Sequence, residues 1–169
     1  MYELLKLFFD ICLFKKKPQD IPASTWLFRF LISIYLATSF LLLMLSTDSF
    51  NALQQAFVEV LLILGFSWVI LRISKRSARY QQTVCALMAT DAIISFFAMP
   101  AMATLAIQGS GLAFLVIISL MIWHWLVSGH IFSDALDQPF TFGLGIAFLY
   151  ILSSYQVMAL LFPELIVAE

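Results

Sequence analysis

Four side chains able to hold or pass a proton, or to anchor a charge, sit inside long apolar stretches of this sequence: Arg29, Glu59, Asp91 and His124. An acid beside an imidazole can exchange a proton near neutral pH, because histidine titrates there and a carboxyl group's proton affinity follows its surroundings. Ionisable groups in membrane-spanning segments cost about 2.5–3.5 kcal/mol at the bilayer centre and therefore face the interior of a helix bundle. Asp91 has no charged neighbour in its own run, so its partner must come from another segment. Depth decides the pairing. Asp91 is about 8 residues, or about 12 Å, from one end of its helix, and His124 is at about the same depth in its own. Asp91, His124 and Arg29 are expected to form one polar layer, with Ser95 a turn along from Asp91. Glu59 is nearer the other end of its run, with Gln55 one turn away on the same face. Ser39 and Gln156 are at similar depth, which predicts a second layer.

These residues need helices to hold them. The chain is 63% hydrophobic and 11% charged, against about 25% charged in soluble domains. It could not cover itself with polar surface in water, so lipid is its natural solvent. Five runs are long enough to cross a hydrocarbon core of about 30 Å: Trp26–Leu45, Ala52–Ile73, Thr83–Gln108, Gly111–Phe132 and Phe140–Phe162. The third has two runs before it and two after, so it can meet partners from both halves. Pro100 interrupts it and is expected to kink it. Ala86, Ala89 and Ala92 in the third run, and Gly143, Gly145 and Ala147 in the fifth, suit close helix packing.

Before the first crossing, Glu3, Lys6 and Asp10 form one stripe on an otherwise apolar helix, followed by Lys15, Lys16 and Lys17. This predicts an amphipathic helix lying in the membrane interface, with the lysines against anionic lipid. Residues 1–17 are thus an interfacial helix with a basic anchor, and residues 18–169 the membrane domain. Asp20 or Ser24 is expected to cap the first crossing. The predicted fold class is an all-α membrane protein with five transmembrane helices after an amphipathic interfacial one.

Placing the amino terminus in the cytoplasm puts all nine lysines and arginines on the inner face, as basic residues prefer. The carboxyl end, Pro163–Glu169, is then outside. Cys12 and Cys85 fall on the inner side, where thiols stay reduced, and read as free apolar thiols.

Other chemistry is scarce. No HExxH, P-loop or GxSxG pattern occurs, so no catalytic or cofactor residues are assigned. His124 and His130 do not share a helix face. His130 and Asp134 can, at the inner interface, but two ligands do not make a metal site. The short basic loop Ser74–Gln82 is explained by topology, without nucleic acid.

Five crossings, the approach Lys17-Pro18-Gln19-Asp20-Ile21-Pro22 and the segment Trp123–Leu136 (WHWLVSGHIFSDAL) make the chain resemble the Yip family of small membrane proteins, in its bacterial branch. The resemblance implies a five-helix fold in a bacterial inner membrane. The aspartate-leucine-tyrosine-glycine-proline motif of eukaryotic members is absent, so GTPase-partner binding is not implied.

The sequence thus favours a non-enzymatic protein acting through helix or lipid contacts, as an assembly or membrane-organising factor, alone or with a homo-oligomeric or membrane-protein partner. Polar layers in membrane bundles are usually interhelical hydrogen bonds that hold register. The alternative is a small proton-coupled transporter or channel subunit using Asp91, Glu59 and His124. An intramembrane enzyme is the third possibility and lacks a constellation.

Overall fold

The structure, a computed structural model, describes residues 2–163. The expectation for the last six residues, 164–169, lies outside them. Six α-helices follow one another: α1 (Tyr2–Cys12), α2 (Thr25–Leu43), α3 (Ser49–Ile73), α4 (Tyr80–Gln108), α5 (Gly111–Leu136) and α6 (Phe140–Leu161). No strand occurs among the described residues. The helices α2 to α6 are each long and apolar enough to cross a membrane. Their outward faces carry Phe57, Leu61, Phe96, Leu112 and Phe148, each more than half exposed. Monomeric soluble proteins rarely expose apolar surface on this scale. The chain has the features of a multi-pass membrane protein.

The helix α4 is the hub. It packs against α1, α2, α3 and α5, and its inner half, from Thr83 to Thr90, is buried throughout. Ala86, Ala89 and Ala92 are all buried, which lets neighbouring backbones approach. The helix runs unbroken past Pro100. Pro100 removes one amide hydrogen, and hence one hydrogen bond within the helix.

The helix ends are set by local chemistry. Asp48 accepts the amide of Asn51 at 3.3 Å and its side-chain nitrogen at 2.8 Å, which starts α3 three residues before the expected Ala52. Ser24 holds the N-cap position of α2 without a side-chain cap bond. Asp20 instead accepts the Lys17 amide at 3.1 Å and closes the turn Pro18–Asp20. The helices α1, α3 and α5 end on left-handed residues that are not glycine: Phe14, Lys75 and Asp137, with φ of 61°, 57° and 52°. Beyond each, the next amide reaches back to close the helix: Lys15 to Asp10, Arg76 to Leu71 and Gln138 to Ser133. This is the Schellman arrangement, usually built on glycine.

The tightest helix contact is between α5 and α6. A Cβ on Gly143 would overlap the Gly129 carbonyl oxygen and come within 2.6 Å of Ser133 Cβ. Gly145, expected to share that role, faces open space. The helix α1 lies against α4 and α5. Its Phe8, Ile11 and Cys12 are buried, and its Cys12 carbonyl accepts Trp123 Nε1 at 3.1 Å.

Candidate functional site

The two expected polar layers meet in one place. A half-open cavity of about 550 Å³ lies between α2, α3, α4, α5 and α6. Tyr35, Ser39, Gln55, Glu59, Asp91, Ser95, His124, Tyr150 and Ser154 contribute its polar groups, and leucine, isoleucine and methionine most of the rest. Asp91 Oδ1 is 3.1 Å from His124 Nε2. Their side chains keep 23% and 30% of their surface free, so the pair fronts open volume and is not sealed between helices. The Ser39 hydroxyl donates to Glu59 Oε2.

The layers merge because the helices reach further inward than the apolar runs suggest. The start of α4 is Tyr80, so Asp91 lies 11 residues in, about 17 Å; α5 ends at Leu136, so His124 is 12 residues from that end, about 18 Å. Glu59 is 10 residues from the opposite end of its helix, about 15 Å. All three therefore lie at similar heights along the bundle, where one cavity can take them together.

Two expected members stand apart. Arg29 is only four residues into α2 and is exposed, about 11 Å short of the depth of Asp91. Gln156 is also exposed. It is two residues, or about 200° of helix rotation, from Ser154, which does line the cavity. Tyr35 and Tyr150 take the places left in the layer. Tyr35 is one turn from Ser39 and only 4% exposed. That spacing was the available signal, although tyrosine in an apolar run usually reads as packing or an interfacial anchor.

The cavity is asymmetric. Its lining continues through Leu42 and Leu43 to Ser46 and Thr47, in the connection between α2 and α3. That end carries no lysine or arginine. None of its lining residues lies nearer the basic end of α4 than Asp91, or of α5 than His124, and beyond them Val84, Met88, Val127, Ile131 and Phe132 are buried.

The basic end is fastened by ionic and polar contacts. Asp137 pairs with Arg76 at 2.6 Å and Arg79 at 2.8 Å. Arg79 also donates to the carbonyls of Asp134 and Ala135, at 3.1 and 3.2 Å, where a cation suits the negative end of α5. The Arg79 hydrogen bond holds the Asp137 carboxyl below its usual value, helped by the charges of Arg79, Arg76 and Lys17. Lys17 reaches Asp134 at 3.6 Å. Gln19 donates to the Asp134 carbonyl at 2.6 Å, and Gln82 donates to the carbonyls of Gln19 and Ile21. The acids of the connection between α5 and α6 thus neutralise bases of the two earlier connections at the same end.

His130 and Asp134 do share a face, 3.4 Å apart, and His130 also contacts the Lys16 carbonyl at 3.1 Å. Among the described residues no three potential ligands cluster as a metal site would require. Cys12 and Cys85 are both free and buried. Burial pushes the Cys12 thiol up to about 12, so it is unreactive near neutral pH.

No family model matches the chain, and neither a curated protein nor a solved structure matches it.

Proposed function

We propose that this chain is a small membrane transporter, or the transporting subunit of one, in which a solute enters the vestibule and exchanges with a proton held by Asp91 and His124. One observation carries this reading. The interior acids and the histidine share a single cavity that leads to one end of the bundle and is closed at the other. Side chains serving only as rivets between helices need no such volume.

The exchange follows from charge balance. With one shared proton the pair has no net charge, whichever of the two groups holds it. Loss of that proton leaves one negative charge, and gain of another leaves one positive charge. Either change is expensive in a medium of low dielectric unless a solute charge compensates it. Tyr35 from α2, Glu59 from α3 and Tyr150 from α6 face the same cavity as the pair and tune its balance.

The setting of this reading is an inner membrane with the basic end of the bundle in the cytoplasm. Lys6, Lys15–Lys17, Arg29, Arg72, Lys75, Arg76 and Arg79 support that orientation under the positive-inside preference. On this reading α1 lies in the inner interface. Its Glu3, Lys6 and Asp10 border one shallow polar depression with Lys16, while Phe8, Ile11 and Cys12 bury against the bundle. The resemblance to the Yip family belongs with this topology.

A membrane-organising role is the second reading. It is favoured by an almost wholly apolar groove of about 460 Å³ between α1, α2 and α4, lined by Leu5, Phe9, Trp26, Phe30 and Phe97 among others. A stable partner retained in mild detergent supports this second reading.

Proteoliposomes enclosing a pH-sensitive dye test the first. A panel of amines, amino acids, sugars and carboxylates is added outside, one at a time. At least one solute should change the luminal pH, and Asp91→Asn should abolish the change. A panel that moves no protons, or an Asp91→Asn variant that moves them as well as wild type, refutes the proposal.

A further inference from the structure

Resting on the reading of the vestibule as a solute site, we infer that its solute is an amphipathic ammonium ion, an amine with an apolar body, seated against Gln55 and Glu59. Gln55 is 1% exposed and lines the vestibule, and its Oε1 has no hydrogen-bond partner among the described residues. A buried acceptor left unmade costs about 1–3 kcal/mol. This one, like Ser154 Oγ in the same vestibule, has no partner among the described residues, and a solute donor that reaches it relieves that cost.

Glu59 is one turn along the same face of α3. Its bond from Ser39 comes from a neutral hydroxyl, whereas Asp91 already faces the imidazole of His124. No lysine or arginine lines the cavity. Gln55 and Glu59 together thus present acceptor oxygens and a carboxylate with no cation assigned to it. The complementary group carries both N–H donors and a positive charge.

The surroundings narrow the class further. An anionic solute would face two acids with only His124 to offset them, and like charges repel strongly where water is scarce. A sugar would need polar walls, and these are mainly aliphatic. A volume of about 550 Å³ is within the usual range for small-molecule pockets, about 300–1,000 Å³. Tyr35 and Tyr150 add aromatic rings, which attract cations. The connection at the mouth, Ser46–Asn51, carries Asp48 and no base, while all nine lysines and arginines belong to segments at the far end. That distribution draws cations toward the mouth.

Scintillation-proximity binding of radiolabelled phenethylamine to the purified full chain tests the assignment, with phenethyl alcohol and hydrocinnamate as neutral and anionic competitors of the same shape. Saturable amine binding is expected, displaced by unlabelled amine and not by the carboxylate. Glu59→Gln should weaken it roughly 10- to 150-fold, the range for losing one charged hydrogen-bond partner, and Gln55→Leu should weaken it as well. Both variants should keep the elution profile of wild type and melt no lower, Gln55→Leu somewhat higher because it removes an unpaired buried acceptor, which separates lost binding from lost folding. Preference for the alcohol or the carboxylate overturns the ligand class and leaves the vestibule reading standing. Equal amine binding by wild type and Glu59→Gln overturns the seat. Binding of no probe, with Gln55 satisfied by water alone, overturns the whole inference, and proton movement driven by another solute class then judges the vestibule reading separately.

Discussion

Adding one methyl group at Gly143 should separate the two most extensively packed helices. The new Cβ would overlap the Gly129 carbonyl oxygen, with Ser133 Cβ at 2.6 Å and Ser133 N at 2.7 Å. Ordinary van der Waals contact begins near 3.4 Å, so the Ser133 contacts alone demand a shift approaching 1 Å. The nearest obstacles are backbone atoms, and no rotamer change relieves them; the helices themselves must move. Overpacking costs about 1–3 kcal/mol, and backbone obstacles put this case near the top of that range. For a chain of this size 1 kcal/mol lowers the melting temperature by about 2–4 °C, so Gly143→Ala should lose about 6–12 °C. Gly145→Ala is the matched control, because its Cβ would meet nothing within 4 Å. Fluorescence-detected size-exclusion melting in one detergent compares the two variants with wild type. If Gly143→Ala melts with wild type and Gly145→Ala, the close approach of α5 and α6 is wrong, and so is the width of the vestibule they help to frame.

Three further predictions address the two ends of the bundle. Arg79→Ala should destabilise by about 1–2 kcal/mol through its lost bonds to the Asp134 and Ala135 carbonyls, and Arg76→Ala by less, because its pair is exposed; thermal unfolding of each variant measures the difference. The Asp137 carboxyl is held below its ordinary value by Arg79 first, so its contribution is intact above the ordinary carboxylate range and fades as pH falls through the lowered value. Melting temperature should drop across that acid window in wild type, and the Asp137→Asn variant should lose that part of the drop. At the open end, Ser95→Cys should react with a charged methanethiosulfonate reagent added from the side away from Ser74–Gln82, while Phe96→Cys, on an outer face that is 67% exposed, should stay unlabelled in lipid. The native thiols are buried and give no background; equal labelling of the two variants, or none of Ser95→Cys, removes the water-accessible vestibule.

Solvent and periodicity made much of this chain legible before its fold was known. The apolar runs located all five long helices, and matching depth brought Asp91 to His124. Glu59 met Ser39 for the same reason. Rotation and the true ends of helices could not be read. Gln156 and Ser154 are two residues apart, and only the packing of α6 decides which faces inward. The ends at Phe14, Lys75 and Asp137 lack the glycine that normally announces a left-handed stop. The apolar count therefore ended the fourth run at Phe132, although the helix continues to Leu136. That shortfall separated two polar layers that in fact share one cavity. The tyrosines were hidden by ambiguity of type, since an apolar run with tyrosine suits packing as well as a site.

The distribution of charge links these observations to mechanism. At the basic end, the acids Asp134 and Asp137 meet the bases of earlier connections, and the tight crossing of Gly129 and Gly143 lies between one and two turns from them. That end is closed by contacts that are individually modest, because water and salt screen exposed ion pairs. Among the described residues the open end shows no comparable fastening: Asp48 bonds within its own turn, to Asn51. A solute that reached Glu59 would therefore stand between a mouth with little to hold it shut and a base that separates only if α5 parts from the turn around Arg79. On the transporter reading, passage through the chain would require that second movement. On that reading the contact between Arg79 and the end of α5, remote from the acids and the histidine, is where a change in the charge of Asp91 and His124 would have to be felt, since α5 carries His124 at its middle and the Arg79 acceptors at its basic end.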